Sequence, residues 1–304
     1  MEKSPADPLP LRRSLSQKPS RGCDIVSVHD LTKGLRIQAR DIALLKDLYD
    51  HAALSRDQII AFGHFASISR ANSRLAKLVE YRLVRRYPIP AVGSLQSAYT
   101  IGANAADVLA DHLDVPFEQL RLAASQDPAV LTLRHTLKIA EIGLAFRDQS
   151  KAHGLTVRQW LPERSCRHDY AEGSDTAGWH VQIIRPDAYL CLEDSCRRYS
   201  FFIEVDCGNV GAARFAKKID GYLRYRAGVF QETYPDTTFK ILVVTTGPMR
   251  ASHLLDCAPR GSSVLLATTF DLLHSFGPLG KIWSDGVEAP EGPTHQKSLQ
   301  ERSC

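Results

Sequence analysis

Hydrophobic positions fall into helical register from Ala39 onward. Ile42, Leu44, Leu45 and Leu48 form an apolar stripe that predicts a helix ending near His51. Ser55 has the character of an N-cap and predicts a short second helix through Ile59 and Ile60. A third helix is expected after Ser67 or Ser69, with Leu75, Leu78 and Val79 facing inward. The pattern then changes. Leu83 to Tyr87 and Gln96 to Ile101 read as strands joined by a loop containing Pro and Gly. Three helices followed by a two-stranded wing predict a winged helix-turn-helix over residues 38–115, closed by a helix at Ala103 to Leu113. Residues 116–130 are expected to be a linker, and residues 1–37 a flexible basic arm rich in Ser, Pro, Arg and Lys.

The second half has a different pattern. Leu133, Leu137, Ala140 and Leu144 define a long amphipathic helix over about 131–149. Strand-like runs follow at Leu155 to Leu161, Ala188 to Leu192 and Tyr199 to Asp206. Next come a helix over about 210–230, a continuous apolar strand from Phe239 to Thr246, a helix over about 249–257 and a strand from Ser263 to Thr268. The order α-β-β-β-α-β-α-β predicts a mixed sheet covered by helices, an α/β (α+β) domain over residues 131–284. Residues 165–180 are expected to be a polar loop, and residues 285–304 a disordered tail.

Composition adds limits. At 304 residues, two domains plus tails are expected, and 44% hydrophobic with 24% charged residues suits a globular protein. No apolar run is long enough to span a membrane, and the polar N-terminus lacks the apolar core of a secretory signal, so a cytoplasmic location is expected. Seven cysteines at irregular spacings suit reduced thiols, and Cys166, His168, Cys191 and Cys196 match no common zinc spacing. Residues 1–134 carry 18 Lys and Arg against 14 Asp and Glu, so the net charge of +4 lies entirely in that half. An anionic partner is expected there. On the third helix Arg70, Arg74 and Lys77 share one face, and Arg85 and Arg86 lie on the adjoining wing strand. A solvated helix surface carries such charges too, but beside a wing they suit phosphate contacts to double-stranded DNA.

The candidate chemistry lies in Phe201-Phe202-Ile203-Glu204-Val205-Asp206. Glu204 and Asp206 stand two residues apart at the end of an apolar strand, on one face by the strand's period. Asp187 opens the preceding strand, so a hairpin brings three carboxylates together. Like charges resist joint ionisation, so either a hard divalent cation or a shared proton is expected between them. A hydrogen-bonded structural cluster at the sheet edge is the alternative.

Taken with this element order, Arg185-Pro186-Asp187 and Glu204-Val205-Asp206 resemble the motifs of the nuclease superfamily named for PD and (D/E)xK, which includes many restriction endonucleases. From about Leu31 to Thr268 the chain resembles the replication-relaxation family, and within it the MOBC-type plasmid mobilisation relaxases, which join a winged helix to such a domain. The resemblance implies that Asp187 and Glu204 bind Mg²⁺ or Mn²⁺, with the Val205 carbonyl as a further ligand. Where the superfamily usually has Lys, this chain has Asp206, which is expected as a third metal ligand. Lys218, one turn before Tyr222 on the next helix, is the expected replacement, with its neighbour Lys217 as the rival. Glu141 and Glu163 compete for the role of an accessory acid.

Tyr222 and Tyr225 suit core packing better than base stacking or nucleophilic attack, and His135 and Lys138 read as the polar flank of their helix. Arg224 and Arg226 are a basic pair with no further distinction. The expected function is metal-dependent nicking of one DNA strand at an origin-like site on a mobile element, together with other relaxosome or coupling proteins. The alternative is a DNA-binding protein with an inactive nuclease-like domain that regulates replication, transfer or transcription.

Overall fold

The computed structural model describes residues 34–91, 94–174, 178–234, 236, 238–259, 263–286 and 298–299. Most of the expected N-terminal arm and C-terminal tail lies outside these residues.

The first helices form where their stripes and caps direct. Helix α1 (Ala39–Asp50) buries Leu44, Leu45 and Leu48. Strand β1 (Leu54–Ser55) leads into α2 (Arg56–Ala61), where the Ser55 side chain accepts from the Gln58 amide and the Gln58 side chain accepts from the Ser55 amide. Helix α3 (Ile68–Glu80) is capped by Ser67 and buries Ala71, Leu75 and Leu78. The wing strands β2 (Val84–Ala91) and β3 (Ser94–Ile101) pair antiparallel, and β1 adds to the far side of β3. Pro88 and Pro90 are tolerated because β2 is an edge strand. This is the winged helix-turn-helix expected, with a third short strand that two residues could not announce.

Beyond α4 (Ala105–Ala110), the expected linker contains helix α5 (Phe117–Ser125). Its Leu120, Ala123 and Ala124 are buried in the winged-helix core, so this segment is part of the packed domain. Helix α6 (Val130–Ser150) is shared between the two halves. Leu133 and Leu137 pack with Ala53, Ile89 and Ala98 of the wing side, while Ile139, Ile142 and Phe146 join the core beneath the second sheet. Gln58 Nε2 donates to the Leu137 carbonyl at 2.7 Å and Arg147 Nη2 to the Ala61 carbonyl at 2.9 Å, tying α2 to α6.

The second sheet runs β10-β9-β8-β7-β4. Strands β4 (Thr156–Pro162), β7 (Ala188–Glu193) and β8 (Arg198–Val205) are antiparallel neighbours, and β9 (Phe239–Thr245) and β10 (Leu265–Thr269) extend β8 in parallel. Helices α6 and α10 (Phe270–Phe276) cover one face; α7 (Ala212–Ala227), α8 (Phe230–Thr233) and α9 (Pro248–Leu255) cover the other. Gly143 lets α6 approach β4 closely, since a Cβ there would lie 2.6 Å from the Trp160 ring.

One expectation fails within this domain. The polar stretch 165–180 is a loop only in part: β5 (His168–Ser174) and β6 (Gly178–Ile184) form an antiparallel hairpin inserted before β7. Its residues pair with each other rather than with the five-stranded sheet, and its outer face is exposed, so the buried alternation that marks a strand is missing.

Candidate active site

The end of β8 is the meeting point. Asp187 precedes β7, and its backbone amide donates to the Ile203 carbonyl at 3.1 Å, which places its side chain beside the end of β8. There Asp187 Oδ2 accepts from the Val205 amide at 2.7 Å. From α6, His135 Nε2 donates to the Val205 carbonyl at 3.0 Å and stands 3.3 Å from Asp187 Oδ2. Burial opposes protonation of His135, but Asp187 and the Val205 carbonyl outweigh it and raise its pKa.

Glu204 is buried, 5% exposed, and faces α7. Lys218 Nζ donates to its Oε2 and the Tyr222 hydroxyl to its Oε1. The Glu204 carboxyl is raised to about 7: burial pushes it up, Lys218 pulls it down and the Asp187 charge pushes it further up. Lys218 shows the reciprocal effect. Its burial opposes the charge, and the carboxylates of Glu204 and Asp187 overcome that and raise its pKa. Lys217 is exposed, so the helix turn directs the second of the two lysines into the site.

Asp206 corrects the expectation of three converging acids. Although Glu204 and Asp206 both face the α7 and α9 side of the sheet, Asp206 lies one residue past β8 and is bound by Arg250 of α9. Arg250 Nε meets Asp206 Oδ2 at 2.8 Å and Arg250 Nη2 meets Oδ1 at 2.9 Å, while Thr245 donates to Oδ2 at 2.6 Å. Burial disfavours its ionisation, but the Arg250 and Thr245 bonds dominate and lower its pKa. Asp206 is thus an anchor for α9 rather than a third oxygen donor beside Glu204. Among the described residues no group of three or more His, Cys, Asp or Glu side chains is gathered as a metal cluster. Two carboxylates and the Val205 carbonyl remain, hard oxygen donors of the kind Mg²⁺ and Mn²⁺ take, at a point where burial already disfavours Glu204 ionisation. The residues present fit such an ion with two acids rather than three.

The accessory acids separate. Glu141 is half-buried and paired with His274 at 2.6 Å, away from these contacts. Glu163 is exposed and its charge raises the pKa values of Lys218 and His135. It therefore stands on the site's side of the fold. Tyr222 is buried against Phe202, with ring centroids 5.4 Å apart, and burial with the Glu204 charge drives its phenol pKa well up. Tyr225 is equally buried, between Phe202 and Phe230, so both tyrosines are core residues. Lys138 lies 3.4 Å from the centre of the Phe270 ring. Arg224 pairs with Asp220 and Glu172, and Arg226 donates to Thr238.

His135 is the residue that sequence reasoning missed. Its place between buried Leu133 and Leu137 on α6 looks like a polar flank, and only the pairing of Asp187 against Ile203 brings the strand end beneath it.

The cationic face of α3 is divided. Arg70 and Lys77 are exposed. Arg74 is bound by buried Asp41, through Nε at 2.9 Å and through Nη2, and also donates to the Arg36 carbonyl at 2.9 Å. Arg85 donates to the Gln126 carbonyl, whereas exposed Arg86 donates to Ser97 Oγ at 2.9 Å. Arg74 and Arg85 thus already have partners within the domain, Arg74 the buried Asp41 carboxylate and Arg85 a backbone carbonyl.

A winged helix carrying a mixed α/β domain with acids at the end of a central strand is the class that fold and site define. The chain belongs to the replication-relaxation family, whose model matches residues 45–238, from α1 to the loop before β9. Among solved structures, the restriction endonuclease FokI is similar at 11% identity and a TM-score of 0.27, over 76% of this chain and 41% of that one. The chain thus spans well under half of that structure's length, and so slight a likeness carries no argument about the site. A comparison with curated proteins finds no match. Among the described residues no helix is long and apolar enough to cross a membrane.

Proposed function

We propose that the chain binds double-stranded DNA through its winged helix and nicks one strand at the Asp187–Glu204 site with a divalent metal, in the manner of a MOBC-type relaxase acting on a plasmid or integrative element. The observation that carries this reading is the ammonium of Lys218 on the Glu204 carboxylate. The motif position that usually holds lysine is Asp206 here, and a cation from the following helix supplies the charge in its place.

Asp187, Glu204 and the Val205 carbonyl are the residues that would hold Mg²⁺ or Mn²⁺, and the ion would supply Lewis acidity toward the phosphodiester and acidify a water for attack. Lys218, shared between Glu204 and the scissile phosphate, stabilises charge that develops on the phosphoryl oxygens. His135 holds the Asp187 carboxylate and the Val205 carbonyl in place, and the charge of Glu163 favours the protonated forms of His135 and Lys218. Arg70, Lys77 and Arg86 contact the DNA backbone beside the groove that α3 enters.

A second reading has an observation of its own. Asp187, Glu204 and Asp206 each already have a basic partner, namely His135, Lys218 and Arg250. A nuclease-like domain that had become structural would look the same, leaving a DNA-binding regulator of replication, transfer or transcription. Incubation of supercoiled plasmid carrying the cognate origin with Mg²⁺ or Mn²⁺ separates the two. Nicked circles that disappear in Asp187→Ala and Glu204→Ala are the expected result; unaltered supercoils together with intact, salt-sensitive DNA binding would leave the regulator reading.

A further inference from the structure

The β5–β6 hairpin has two unlike faces. Its inner face packs on α7: His168 stacks on Tyr225 at 5.6 Å between centroids, Tyr170 meets the same ring at 5.3 Å, and Glu172 pairs with Arg224 at 3.3 Å. On its outer face the alternate residues Trp179, Val181 and Ile183 are 61%, 72% and 45% exposed. Across the ladder they meet Gly173, Ala171 and Asp169, so this face carries one acid. That acid is bound by Arg167 through both carboxylate oxygens, each at 2.9 Å.

The apolar row leads toward the candidate site. Asp187 lies four residues beyond Ile183, roughly 13 Å of extended chain. Exposed Arg185 stands between them, and Arg214 and Lys217 are exposed on α7, the helix that carries Lys218 and packs beneath the hairpin. An aromatic and aliphatic row that leads into an exposed arginine suits one kind of ligand. The bases of a duplex are stacked on each other and present only edges, whereas an unpaired strand offers a π-face from each base and a phosphate for each cation.

We propose that the outer face of the β5–β6 hairpin binds the unpaired bases of the DNA strand delivered to the Asp187–Glu204 site, with Trp179 as the stacking platform and Arg185 on the phosphates. This rests on the nicking reading above, in which one strand must be separated from its complement. The apolar face is then explained by what it receives, and the insertion before β7 by where it delivers it.

The test uses the full chain without divalent metal, so that it does not depend on cleavage. A labelled 12-nucleotide oligothymidylate and a duplex of the same length are titrated by fluorescence anisotropy, and tryptophan emission is followed in parallel. The expected result is quenching of Trp179 emission by the single strand, and at least about fivefold weaker single-strand binding in both Trp179→Ala and Val181→Asp with duplex binding unchanged. Equal single-strand affinity in either correctly folded variant would overturn the proposal. So would a change in oligomeric state by light scattering in those variants, which would assign the face to a second copy of the chain. A protein that never nicks can still pass this test, and a nickase can fail it, so the two readings stand or fall separately.

Discussion

Lys217 and Lys218 are neighbours in sequence with opposite surroundings. Lys218→Met removes the cation from a buried carboxyl and the charge from the proposed phosphate site, so nicking is expected to fall at least about a hundredfold. Lys217→Met meets only solvent in the free protein and is expected to leave multiple-turnover nicking of duplex plasmid unchanged, as a gel assay would read. Asp206 gives a contrasting expectation. Asp206→Ala leaves Arg250 and Thr245 without their acceptor and is expected to cost about 3 kcal/mol in denaturant unfolding, while metal binding at Asp187 and Glu204 persists. If Asp206→Ala instead abolished metal binding at full stability, its place as an anchor would be wrong. At this scale the hairpin that sets Asp187 beside Glu204 is local and legible in the pattern, whereas Lys218 was expected only from the resemblance; in the structure its ammonium meets Glu204. The roles of Asp206 and His135 depend on Arg250 and on the packing of α6, partners 44 and 70 residues distant along the chain, which no local pattern reveals.

Among the elements, α3 presents a narrower cationic face than its spacing suggested. Arg70→Ala, Lys77→Ala and Arg86→Ala are each expected to weaken DNA binding without a change in stability. Each should also reduce the slope of log affinity against log salt by about 1, because one phosphate fewer is neutralised in the complex. Arg74→Ala is expected to lower stability first, because it strands buried Asp41. A further expectation concerns the end of α1. Burial lowers the pKa of His51 from 6.5 to about 4, so between these values the unfolded chain takes up a proton that the native protein excludes. Stability is therefore expected to fall as pH drops from 6.5 to about 4, by on the order of 3 kcal/mol from this group. Urea midpoints at pH 7 and pH 4 should differ less in His51→Gln than in the parent. Helices with buried stripes and the continuous apolar strands β7, β8 and β9 were legible because their residues answer to burial. Helix α5 looked like a linker because two of its three large apolar residues, Phe117 and Leu122, face solvent and only Leu120 with two alanines is buried, and the β5–β6 hairpin looked like a loop because its hydrophobic residues face outward.

Across the whole molecule, α6 joins the two halves. One stretch of it packs against the wing and another lies beneath the central sheet, and His135, within the wing-side stretch, reaches the site. The order of elements in the sequence already implied a winged helix followed by a mixed sheet, and the family match runs from α1 to the loop before β9. Their junction was not legible, since a shared helix shows the same apolar period whichever domain it serves. The most direct measurement of the central claim is Mn²⁺ binding to the full chain, followed by calorimetry or by the loss of the free-ion EPR signal. One ion per chain is expected, lost in Asp187→Ala and Glu204→Ala and retained in Asp206→Ala. No binding, or binding indifferent to Asp187 and Glu204, would contradict a metal site at the end of β8.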